Sequence, residues 1–299
     1  MPPFVTLVAA GIAALAAAVA IRRVRGSTAV PAAWWALAAC LALAADAGAH
    51  WAGWLTSPAA AARVRLGVAA LAVCPAMSLL GAKRPQHGVW QLIVATLAVV
   101  VAMPALSAWL VRPGSLPDVH LLGRGFLVVL AVVGWLNFVA TSHGPAATAI
   151  AAGQLAFLRP FLPGVATAAA LPQPLLDAAG ACLVAAGAAA ALARRSVVGA
   201  GGEPAPRGST TVTRCIDPPF LALRDTLGAA WALRIAERFD TVAAARGWPC
   251  RLHFAGLDAG GDPADDSWHR DALRAFKALM HRFVDDAWLV RHGWKDRAS

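Results

Sequence analysis

The chain has 299 residues, of which 59% are hydrophobic and only 14% charged, with a mean hydropathy of +0.61 and a formal charge of +10. Soluble domains carry roughly 25% charged residues, so an ordinary water-soluble globular fold is excluded. Residues 1–195 hold 12 basic side chains against 3 acidic ones and residues 196–299 hold 14 against 13; the excess charge flanks apolar segments and forms no nucleic-acid patch.

Phe4 to Ile21 is apolar and ends in Arg22, Arg23 and Arg25. A secretory signal would place its charge before the apolar stretch, so this segment is expected to be a retained first span with the N-terminus outside. The small residues Ala18 and Ala20 keep a cleaved signal as the alternative. The second span, Pro31 to Leu55, has tryptophans at both ends, from Trp34 to Trp54. At 1.5 Å per residue these lie about 30 Å apart, one hydrocarbon thickness.

Leu66 to Ala82 is expected to return inward, kinked at Pro75, with Ser78 or a neighbour satisfying the carbonyl that the proline frees. Arg63 and Arg65 fall on its outer flank, against the usual charge bias. Gly88 to Val111 follows, bracketed by Trp90 and Trp109, and then Phe126 to Ala140. Ala146 to Leu162 is the weakest segment, short and interrupted by Arg159-Pro160; Leu175 to Ala193 is the last, with Ala181, Ala185 and Ala189 spaced for close helix contact.

From residue 196 the character changes. Residues 196–209 read as a Gly/Pro linker and 210–299 as a small cytosolic domain. Thr210 to Ile216 reads as a strand and Asp217 as an N-cap. The helix that follows aligns Phe220, Leu223, Leu227, Trp231, Ile235, Phe239 and Val242 on one face and stops near Gly247. Arg251 to Leu257 alternates like a second strand, residues 256–267 form a polar loop, and Trp268 to Arg291 reads as one helix with Phe276, Met280, Phe283, Ala287 and Val290 inward. The predicted fold is mainly α, a polytopic membrane helix bundle over 1–195 with seven spans (six as the alternative), carrying a C-terminal α/β unit of order strand-helix-strand-helix.

Four groups of polar residues stand out. Asp46 and His50 share a helix face inside the second span, and Asp177 starts the last span on the same outer side; ionisable groups at that depth are functional candidates, or they satisfy one another as interhelical glue. Ser78, Gln91, Asn137, His143 and Gln154 could line an inner cavity or bond neighbouring helices. In the tail, Arg224, Asp225, Trp231, Arg234 and Arg238 form a candidate interaction face, against a solvated face as the plainer reading. Asp265, Asp266, His269 and Asp271 suggest a metal or simply acids at a helix start.

The five cysteines have no CxxC spacing, and no phosphate loop, GxSxG or HExxH occurs. Neither a cofactor nor a metal is expected. Topology alone is shared with receptors and rhodopsins, and the last span has no lysine to hold a retinal. The sequence thus points to an inner-membrane protein, N-terminus outside and C-terminus cytoplasmic, without evident catalysis. Its tail would serve a protein partner or self-association. The alternatives are a small-solute transporter or channel with Asp46 and His50 at its outer mouth, and a membrane-embedded metal hydrolase.

Overall fold

The computed structural model describes residues 1–83, 87–161, 172–200, 211–260 and 268–294. Seven helices form the bundle: α1 (Pro2–Arg23), α2 (Val30–Trp51), α3 (Pro58–Leu80), α4 (His87–Leu110), α5 (Leu121–Val139), α6 (Gly144–Leu158) and α7 (Gln173–Ala200). Six of them, all but α6, are long and apolar enough to cross a membrane. With 15 residues, α6 is about 22 Å long, short of a roughly 30 Å hydrocarbon core. Six helices of spanning length therefore stand where seven spans were expected. Their outward surfaces are rich in exposed large apolar side chains, among them Leu15, Leu41 and Leu92.

Proline sets several starts. Pro2, Pro31, Pro58 and Pro145 sit in the first turn of α1, α2, α3 and α6, where a missing N–H costs nothing. The start at Pro58 extends α3 eight residues beyond the expected Leu66 and takes both arginines into the helix. Arg63 donates to the Ala108 carbonyl on α4 and Arg65 pairs with Asp177 on α7. Both half-buried cations are thereby engaged by neighbouring helices. Among the indoles, Trp34, Trp51, Trp54 and Trp109 are exposed. Trp35 and Trp90 turn inward instead, donating to Gln91 Oε1 and the Met77 carbonyl.

In the bundle α1 packs on α2 and α7, α6 on α5 and α7, and α3 on α2, α4 and α5. Close approach of α6 and α7 depends on glycine: a Cβ at Gly153 would lie 2.5 Å from the Gly180 carbonyl, and one at Gly187 would lie 2.7 Å from the Ala146 carbonyl. Of the alanines expected to permit close helix contact, Ala181 and Ala185 are buried in the packing of α7 against α1, beside residues of α2 and α3, whereas Ala189 is exposed.

The tail corrects the predicted strand-helix-strand-helix order. It comprises α8 (Thr211–Leu227), α9 (Ala229–Arg246), a hairpin of β1 (Cys250–His253) and β2 (Gly256–Ala259), then α10 (His269–Met280) and α11 (Asp286–Arg291). The β-branched stretch before Asp217 is the first turns of α8, whose helix continues through Pro218 and Pro219. Asp217 is no N-cap: its Oδ1 accepts the Leu257 N–H at 2.7 Å, and Asp240 Oδ1 accepts the Leu252 N–H at 2.7 Å. Two carboxylates thus tie one strand each to the helices. The single long helix expected from Phe220 to Val242 breaks at Gly228, with φ +88°. Its apolar face survives the break, since Phe220 through Phe239 are buried as expected while Val242 is only half-buried. The second expected helix also breaks, at residues 281–285, and restarts where Asp285 caps α11 by accepting the Trp288 N–H. The restart rotates the inward face onto Trp288 and Leu289, leaving Ala287 and Val290 outside. Residues 196–200 of the expected linker continue α7, and 201–209 lie outside the described residues, as do Asp265 and Asp266.

The tail is docked on one end of the bundle. Its core cluster includes Ala29, Ala32, Leu79 and Ala82, which belong to α2, α3 and their flanks. Trp231 Nε1 donates to the Leu79 carbonyl at 2.7 Å. Ser27 and Val284 form an antiparallel bridge, and the Asp285 N–H donates to the Gly26 carbonyl. Asn137 at the end of α5 closes the Gly228 break, donating to the Leu227 carbonyl and accepting from the Ala230 N–H, both at 3.0 Å. A Cβ at Gly228 would lie 2.1 Å from that amide.

Asn137→Ala is expected to cost about 1 kcal/mol by leaving two break-point groups without partners. Gly228→Ala should cost more, since it adds both a clash and left-handed strain. Protease cleavage of the tail in detergent-purified protein should accelerate in that order. Burial raises the Asp217 carboxyl above its ordinary 3.8, and the Leu257 N–H partly opposes this. A raised folded value gives stability at low pH that is lost as pH climbs through it. Asp217→Asn keeps the acceptor without the charge, so its stability relative to the wild type should rise with pH from about 3.8 and then level off, as read from unfolding midpoints across pH.

Candidate functional site

Six helices, α1, α2, α3, α5, α6 and α7, line a half-open cavity of about 410 Å³ in the bundle. Its walls are overwhelmingly apolar and built from alanine, with Ala13, Ala39, Ala72, Ala147, Ala151 and Ala188 drawn from five helices. Alanine at these positions leaves the volume that leucine would fill. On α3 the lining runs from Arg65 to Leu79, about 21 Å of helix. α4 stands outside this ring, and a second groove lies between it, α2 and α3.

Polar groups mark both ends of the cavity. At one end stand Asp46 and Arg65, and at the other, where the tail docks, Arg23, His143, Asp225 and Thr226. The chain begins at the Asp46 end: the Phe4 and Trp51 ring centroids are 6.2 Å apart.

At the Asp46 end, His50 Nδ1 stands 3.2 Å from Asp46 Oδ1 and 2.9 Å from the Asp46 carbonyl oxygen. The carbonyl is the well-aligned acceptor. Asp46 is 7% exposed, and among the described residues its Oδ1 takes no hydrogen bond. Asp177 is better provided, with Arg65 on one oxygen and Gln173 Nε2 on the other at 2.8 Å. Asp46 and Arg65 line the same end of the cavity. The structure therefore links Asp177 to Asp46 and His50 through Arg65, and adds Arg65 and Gln173 to the group expected from the sequence. Arg65 was visible only as a cation on the wrong flank. No cluster of three or more His, Cys, Asp or Glu side chains fit to hold a metal occurs among the described residues.

The second predicted group divides. His143 and Gln154 line the cavity, and Gln154 Nε2 donates to the Ala72 carbonyl at 3.0 Å. That carbonyl adjoins the one Pro75 leaves without a helical donor. Ser78 is fully buried and exchanges hydrogen bonds with Gln91, joining α3 to α4. Asn137 is occupied at the Gly228 break.

Of the tail group, Asp225 and Trp231 face the bundle. Ser142 Oγ donates to Asp225 Oδ2 at 2.6 Å, Arg224 pairs with Asp225 at 3.1 Å, and Arg194 donates to the Ser142 carbonyl. Arg224 also lies over the Phe254 ring and Arg234 over Trp231, each at 5.0 Å, while Arg238 is exposed. His269 packs edge-on against Trp268, and Asp271 pairs with Arg246 and Arg274 on the surface. The Cys74 Sγ–H donates to the Ala70 carbonyl, and Cys40 lines the cavity. Burial, with Asp240 beside it, pushes the Cys250 thiol up to about 11.

Compared with family models, curated proteins and solved structures, the chain matches none of them.

Breaking the Arg65–Asp177 pair one-sidedly, by Arg65→Met or Asp177→Leu, strands a charge and is expected to cost about 3 kcal/mol or more. The double variant should recover most of that loss. Unfolding of all four proteins in a double-mutant cycle measures the coupling.

Proposed function

We propose that this chain is a non-catalytic integral membrane protein whose bundle receives a small, largely apolar molecule, with the tail docked as the floor of the receiving cavity. The observation that carries the reading is the cavity itself. Its 410 Å³ falls in the range of small-molecule sites, and a few polar groups converge on mostly apolar walls. Asp225 and Thr226 of α8 form part of that floor, so release toward the tail side requires the tail to move. A small-solute carrier using the Asp46 and His50 end as its mouth fits this arrangement.

In this reading the Asp46 end faces outward and the tail lies in the cytoplasm. Arg22, Arg23, Arg25, Lys83 and Arg194 gather at the tail end, as the positive-inside rule asks. α6 then completes a seventh pass, antiparallel to α7. The metal-hydrolase alternative lacks a third ligand beside Asp46 and His50 among the described residues. Association of the tail with a partner or a second copy is the second reading, supported by the exposed Leu233 and Val290.

Filling the cavity tests the proposal. Ala151→Trp should weaken binding of a neutral solvatochromic dye by about tenfold or more, as for any occupant excluded by an indole. Leu92→Trp, on the outer surface of α4 and outside both the cavity and the groove beside it, should leave it unchanged. Equal dye binding by the wild type and Ala151→Trp would place the dye elsewhere and defeat the proposal.

A further inference from the structure

Asp46 belongs to both hollows of the bundle: it lines the central cavity and also the groove between α2, α3 and α4. The groove includes Trp54 and Val99, both exposed, so it opens on the surface that faces lipid in a membrane. Asp46 therefore stands where a molecule entering sideways from the bilayer would pass into the interior.

The charges around it are unequally satisfied. The Arg65 guanidinium is committed to Asp177, whose second oxygen takes the Gln173 amide. His50 Nδ1 stands 3.2 Å from Asp46 Oδ1, and its aligned acceptor is the Asp46 carbonyl at 2.9 Å. The result is a carboxylate more than nine-tenths buried, with an oxygen free of hydrogen bonds, at the head of an alanine-walled cavity. A buried carboxylate is stabilised by a cation that donates hydrogen bonds to it.

Resting on the cavity reading above, we propose that Asp46 is the headgroup site for a single-chain cationic amphiphile that enters through the α2/α3/α4 groove. Its ammonium group bonds Asp46 Oδ1 and its hydrocarbon chain lies in the central cavity. The chain needs no polar partner there, because the walls between the two polar ends are almost entirely apolar. The match is one of sign and shape: one buried carboxylate with an oxygen that takes no hydrogen bond, at the end of one long apolar slot.

The test compares three probes of equal chain length, dodecylammonium, dodecanol and dodecanoate, on the full chain in neutral maltoside micelles. Native mass spectrometry counts the retained ligand, and unfolding temperature gives a second readout. Dodecylammonium should bind at least about tenfold more tightly than dodecanol, as expected for a desolvated charge pair. Asp46→Asn should erase that preference while leaving dodecanol binding intact, and Ala151→Trp should remove both ligands.

Tighter binding of dodecanoate would assign the headgroup to Arg65 and overturn the proposal. Equal binding of amine and alcohol by the wild type would overturn it too, while leaving the cavity reading standing. Indifference of every probe to Ala151→Trp would defeat both. Because the three-probe comparison on the wild type decides the sign of the headgroup by itself, a misfolded Asp46→Asn protein does not rescue the idea.

Discussion

The hydrogen bond from Trp231 to the Leu79 carbonyl marks the joint on which the molecule turns. Leu79 lies at the end of α3, and its carbonyl, which accepts the Ala82 N–H at 3.2 Å, takes the indole N–H from the tail as a second donor. Around that bond, Ala29, Ala32 and Ala82 join the tail's aromatic cluster in a single core. Such a small unit buries little apolar surface alone. Sharing a core with the bundle completes what its four helices and hairpin leave open.

The bundle keeps a hollow centre. Alanine-lined walls forgo the dispersion contacts that larger side chains would make. Cohesion comes instead from the perimeter: the glycine contact of α6 with α7, the Arg65–Asp177 pair across α3 and α7, and the Ser78–Gln91 bonds between α3 and α4. Asp46 departs from this economy. It is the buried acid whose oxygen the surroundings leave unserved, and a charge so placed is costly in any apolar medium.

Much of this was legible in the residue order, and the reasons divide cleanly. Helices of bilayer length announce themselves through continuous apolar runs and proline starts, so α1 through α5 and α7 fall close to the expected segments. The shortness of α6 was foreshadowed by Arg159-Pro160. The tail's inward face was readable because a period of 3.6 persists across the Gly228 break. Past the second break it failed at Ala287 and Val290, since Asp285 restarts the count with a new phase. β-branched residues before Asp217 misled because strand preference reports fit to a half-buried pleat, and here the local surroundings are helical. Asp46, His50 and Asp177 could be grouped by depth alone. Arg65 could not, because a cation's partner on a helix more than a hundred residues away leaves no trace in local spacing.

The bridge between Ser27 and Val284, with Arg291 donating to the Arg25 carbonyl, joins the first turn of the protein to its last helix. A ribosome makes about 5–20 residues per second, so the α1–α2 turn waits at least about ten seconds for the segment that bridges it. During that interval the membrane helices can pair, but the turn's backbone groups must be held by water. A chain cut before residue 284 would leave the turn at Ser27 without the bridge that closes it.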